Sequence, residues 1–95
     1  MENNEWNETP KDAIAKWFDL SIQSTDDWQQ IKQWLQTEIQ HLINNNTEKL
    51  FHILYRIDIA ENKAMEALSK PNAAEILTEL IIQRQLEKAE SRKQN

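Results

Sequence analysis

Glu38-Ile39-Gln40-His41 sets a carboxylate and an imidazole three residues apart. Ferritin-like bundles use this spacing to aim both groups at a di-iron centre from one helix. A complete centre needs two such pairs and two further glutamates, and one pair is present here. Only a homodimer could double the set, with Glu48 or Glu61 as the nearest extra carboxylates. Glu38 also falls on the flank of its helix's apolar stripe, and such a pair arises readily by chance in a glutamate-rich chain. No metal ion and no other cofactor is expected. Glu48 and His52, four apart, could form a local ion pair in which the carboxylate holds the imidazole as a general base. No nucleophile accompanies them: Ser21, Ser24, Ser69 and Ser91 have no flanking elbow, and there is no cysteine. Covalent hydrolysis is therefore not expected, no catalytic residue is assigned, and the chain is read as a non-enzyme without an evident small-molecule substrate.

The residues better suited to binding lie along helical spacings. Ile82, Leu86 and Ala89 stand at i, i+4 and i+7, on a different side of their helix from the stripe of Ile76, Leu77, Leu80 and Ile81. A helix apolar on two sides can dock a partner helix or its own symmetry mate, although both sides could also be internal. Trp34, with Glu38 and His41 along one edge, is a second candidate interface residue, because tryptophan is enriched at binding hot spots. The competing reading tucks it against the next helix. Arg84, Lys88 and Arg92 recur every four residues and complement the negative end of a helix dipole. They could instead contact phosphates, yet Glu87 and Glu90 interleave with them and no aromatic accompanies them.

These side chains must be positioned by helices. The chain has 95 residues and no glycine, where average usage of about 7% would give roughly six or seven. Without glycine, phosphate-cradling loops and nucleophile elbows are poorly served, and an all-α fold is expected. The size of 11.3 kDa suits one domain with one modest core. No apolar run approaches the roughly 18 residues of a membrane span. The opening Met-Glu-Asn-Asn-Glu has neither the basic nor the apolar region of a secretory signal, so a soluble, cytoplasmic protein is expected. Net charge is −5, and residues 1–48 carry three Lys/Arg against nine Asp/Glu while residues 49–95 carry eight against seven. An acidic surface of this kind repels nucleic acid and anionic lipid.

Residues 1–8 read as a flexible acidic tail, in which Trp6 either folds back or anchors another chain. Residues 9–93 read as a single helical domain. Thr9, Pro10 and Asp12 start a first helix over 10–23. Ser24 or Thr25 caps the second, whose apolar spacing from Trp28 through Ile31, Leu35, Ile39 and Leu42 runs to Asn44. Asn44-Asn45-Asn46 makes a loop, since asparagine tolerates left-handed geometry. A third helix over 47–57 is apolar around most of its circumference and is expected to be central. Asp58 and Glu61 have the form of a capping box for a short helix over 59–69; the alternative is one bent helix over 47–69. Lys70-Pro71-Asn72 then precedes a long last helix from Ala73 to about Arg92.

The fold expected is all-α, a small bundle of four to five antiparallel helices. The function expected is protein–protein contact, as a homodimer or a subunit of an assembly, with Ile82, Leu86, Ala89 and Trp34 at the interface. The alternative is a DNA-binding or transcription-related regulator using the third and fourth helices, although Glu61 and Glu66 make a poor face for a major groove. No membrane partner is expected.

Overall fold

The computed structural model describes residues 9–93, the last two by backbone alone. The tail expected over residues 1–8, with Trp6, lies outside the described residues. Among those described the fold is a small all-α bundle of five helices: α1 (Pro10–Phe18), α2 (Trp28–Asn45), α3 (Thr47–Arg56), α4 (Glu61–Leu68) and α5 (Ala73–Lys93).

Helix α1 starts as its residues dictate. Thr9 Oγ1 accepts from Asp12 N–H at 3.1 Å, and Asp12 Oδ2 accepts from Thr9 N–H at 3.3 Å. This reciprocal box satisfies two otherwise orphaned donors. The helix stops at Phe18, short of the expected 23, because Asp19 takes a left-handed conformation (φ 60°) and Leu20 N–H reaches back to Ala15 O at 3.0 Å. That chain reversal ends the helical hydrogen-bond ladder before Leu20 and Ile22, which pack on the core as partly buried residues of the connection. The connection itself is fastened by Lys11, whose Nζ donates to Asp26 O at 2.6 Å and to Ser24 O at 3.2 Å. The same ammonium lies 5.6 Å from the centre of the Trp28 ring.

The cap of α2 is Asp27 rather than Ser24 or Thr25, its Oδ1 accepting from Gln30 N–H at 2.9 Å. Asp26 accepts from Gln23 N–H at 2.7 Å and shapes the loop. A single residue, Asn46, separates α2 from α3, and its Oδ1 accepts from Lys49 N–H at 3.2 Å. The choice between one bent helix and two over 47–69 is decided in favour of two, α3 and α4.

The expectation of a central third helix is corrected. The closest helix pairings are α2 with α5, α1 with α5, α4 with α5, and α2 with α3. Helix α5 is thus the spine, and α3 is peripheral. Side chains of α5 explain why: Ala73, Leu77 and Ile81 form one buried row, and Ala74, Thr78, Ile82 and Gln85 an adjoining one. Two rows give α5 a face broad enough for several neighbours. Thr78 is hidden without an unmet donor, since its hydroxyl donates to Ala74 O at 2.8 Å. The core on which α5 closes includes Ile14, Leu35, Ile39, Leu50 and Leu54, all essentially inaccessible.

Candidate interaction surfaces

The turn between α3 and α4 is built by a terminator that usually needs glycine. Asp58 holds φ 74°, Asp58 N–H donates to Tyr55 O at 3.1 Å, and Ile59 N–H donates to Leu54 O at 2.9 Å. This pair of bonds is a Schellman motif with aspartate at the left-handed position. The expected Asp58–Glu61 capping box does not form. With its backbone committed to ending α3, Asp58 cannot cap α4, and that role falls to Ala60, which offers no side-chain hydrogen bond. The Asp58 carboxylate turns to α5 instead, where Oδ2 accepts from Arg84 Nη2 at 2.9 Å. Arg84 Nη1 also reaches Glu87 Oε1 at 3.4 Å, while its Nε is buried with no hydrogen-bond partner among the described residues. The hydrogen bond that Arg84 donates to Asp58, helped by Glu87 and opposed by partial burial, raises the Arg84 pKa above its ordinary value.

That turn closes one end of an apolar groove of about 540 Å³ lined by Phe51, Leu54 and Tyr55 of α3, Ile59 and Ala60 of the turn, and Ala64 of α4, with Asp58 and Glu61 as its charged residues. Tyr55 is 81% exposed, the most exposed large apolar side chain among the described residues. On the other side of the turn a smaller hollow of about 240 Å³ is walled by Lys63, Leu80, Gln83, Arg84 and Glu87, again with Asp58.

The four residues expected at the interface do not share one surface. Ile82 is only 8% exposed and belongs to the core, the internal alternative for that side of the helix: it joins Ala74 and Thr78 in the second buried row of α5. The polar Thr78 hides that row from a search for apolar periodicity. Leu86 is 46% exposed and Ala89 is half-buried. Trp34 is half-buried on α2. The groove residues Phe51 and Tyr55 are not among those that the sequence singles out. Their only signal is a third helix apolar nearly all round in a chain with few helices to cover it.

Glu38 is half-buried, whereas His41 is exposed, with its Nδ1 3.2 Å from Asn45 Nδ2. His41 lines a shallow polar depression with Gln33, Gln36, Thr37, Gln40 and Asn44, and Glu38 does not. Among the described residues no group of three or more His, Cys, Asp or Glu is placed to hold a metal ion. Glu48 and His52 are both exposed on α3. Within the basic series of α5, Arg84 is engaged by the carboxylates of Asp58 and Glu87. No described helix is long and apolar enough to cross a membrane.

Comparison with known proteins finds no match among protein families, curated proteins or solved structures.

Proposed function

We propose that this chain is a small, non-enzymatic cytoplasmic protein that acts through protein–protein contacts, as a homodimer or as a subunit of a larger assembly. The observation that carries this reading is the apolar groove beside α3, with Tyr55 81% exposed at its rim. Tyrosine is enriched among the residues through which proteins bind one another, and Tyr55 is held open at the edge of this groove. Leu86, at 46% exposure, and the half-buried Ala89 offer a second apolar patch on α5 for self-association. Half-buried Trp34 is a third contact candidate on α2. The test is light scattering coupled to size-exclusion chromatography over a range of concentrations. A mass of twice 11.3 kDa that returns to the monomer value in Leu86→Glu places self-association on α5. A monomer at every concentration removes the homodimer and leaves a separate partner.

The DNA-binding alternative draws on α3 and α4 being distinct short helices joined by a tight turn. The surface speaks against it, because Asp58, Glu61 and Glu66 are exposed there and Arg84 already faces Asp58 and Glu87. Salt-dependent retention on DNA that weakens in Lys88→Ala would favour this alternative.

A further inference from the structure

We propose that residues 1–8 lie along the last turns of α5 of their own chain, with the Trp6 indole covering Leu86 and Ala89. The tail is then the resident occupant of the apolar patch through which self-association is proposed, and a second copy must displace it. The contact stands without the homodimer reading, and only the competition rests on it.

Register within the bundle brings the tail to this patch. Lys32 of α2 pairs with Glu79 of α5 at 2.5 Å. Counted outward from that pair, a parallel arrangement would set the buried Ile39 and Leu42 level with Leu86 and Ala89, which are exposed and half-buried. Antiparallel, the buried Ile31, Leu35 and Ile39 fall within one residue of the level of Ile81, Leu77 and Ala73, which are buried as well. The two helices therefore run antiparallel, and the start of α2 at Trp28 lies level with about Gln83. The start of α1 is held at the same level, because Lys11 donates to Asp26 O and its ammonium faces the Trp28 ring, and α1 packs on α5. From Leu86 to Lys93, α5 runs on for about 12 Å beyond that level. Burial falls away there, with Gln85 4% exposed and Leu86 46%.

Tether length and charge select the occupant. The chain enters α1 at Thr9, beside that overhang, and Trp6 comes three residues earlier, within about 10 Å. Leu86 and Ala89, three apart on one side of α5, make an apolar strip about one helical turn long, which one indole can cover. Residues 1–8 carry Glu2, Glu5 and Glu8 and no lysine or arginine. The chain past Gln85 carries Lys88, Arg92 and Lys93 against Glu87 and Glu90, and Glu87 already faces Arg84. An acidic tail and a basic helix end attract each other. A second copy arrives with a net charge of −5 and gives up translational freedom that a tethered segment has already lost.

Fluorine NMR of the full chain, with its tryptophans replaced by fluorotryptophan, tests the contact, and Trp6→Phe identifies the Trp6 resonance. At concentrations where light scattering gives 11.3 kDa, that resonance should be displaced from its position in a peptide of residues 1–8. Leu86→Ser should return it to the peptide position while the resonances of Trp17 and Trp34 stay in place, which shows that the fold is kept. Glu2→Gln, Glu5→Gln and Glu8→Gln together, or raised salt, should carry it part of the way back. Trp6→Ala should lower the concentration at which a dimer forms by several-fold. A Trp6 resonance at the peptide position in the wild type overturns the contact, and a displacement that Leu86→Ser leaves unchanged overturns its place on α5. A displacement that appears only as a dimer forms puts the tail of a second copy on the patch and overturns the contact within one chain. A Leu86-dependent displacement in a chain that stays monomeric, Trp6→Ala included, supports the contact and removes the homodimer. A Trp6 resonance at the peptide position beside a dimer that Leu86→Glu dissolves does the reverse.

Discussion

Two aspartates do what glycine does in most chains. Asp19 and Asp58 hold φ of 60° and 74° and end α1 and α3. Left-handed geometry costs an L-residue about 1–2 kcal/mol, and less for aspartate, whose short polar side chain can bond locally. Asp19→Gly is therefore expected to raise stability by about 0.5–1 kcal/mol, offset in part by the greater freedom of glycine in the unfolded chain. Urea denaturation at unchanged slope measures this, and a loss of stability would show that the Asp19 side chain makes a compensating interaction. Asp58 differs because its carboxylate also binds Arg84. The folded pKa of Arg84 lies above its ordinary value, so the stability that arises from this shift is complete at neutral pH and is lost as pH rises past the normal arginine range. With side-chain exposures of 34% and 70% the pair is well screened, and Arg84→Met should cost less than about 1 kcal/mol. The difference between wild type and variant should stay flat from about pH 6 to about pH 9, where arginine remains charged and carboxylates ionised. A sloping difference in paired denaturant titrations would mean that another titrating group senses Arg84.

Helix α4 shows how the terminator of one helix constrains the start of the next. The Asp58–Glu61 spacing satisfies a capping rule, but α3 needs a left-handed residue after Ile57, and one residue cannot hold that backbone and also serve as an extended N-cap. The cap consequently falls on Ala60, which has no side-chain oxygen to offer. Ala60→Ser should stabilise the fold by about 0.5–1 kcal/mol, seen as a higher melting temperature with native circular dichroism. No gain would indicate that water already satisfies the first-turn N–H groups of α4. Helices α2 and α5 carry strong enough signals to be placed from residues alone: α2 by its unbroken apolar period and α5 by Pro71 and Asn72 before it. The groove is harder to foresee. Apolar periodicity marks side chains that prefer burial, yet it does not say which side of α3 the other helices leave uncovered.

For the whole molecule, the decisive feature is α5 serving three neighbours. Leu77 of α5 is fully buried, and Leu86, nine residues further along the same helix, is 46% exposed. Leu77→Ala should cost about 2–5 kcal/mol and Leu86→Ala less than about 1 kcal/mol in the monomer. Chemical denaturation at low protein concentration compares them. A large loss for Leu86→Ala under those conditions would place Leu86 in the internal packing instead of on the surface.

Residue order was enough to establish a glycine-free all-α chain, the start of α1 at Thr9 and Pro10, the apolar period of α2 and the break before α5. These features are local, and each depends on residues within a turn or two of one another. Which helix is central, that Ile82 is core, and that Tyr55 borders an open groove were decided by tertiary packing. Each depends on which faces five helices can cover at once. Thr78 shows the reason most plainly: a polar residue can enter the core when its hydroxyl bonds Ala74 O. The buried face of α5 is consequently set by its neighbours as much as by its own apolar pattern.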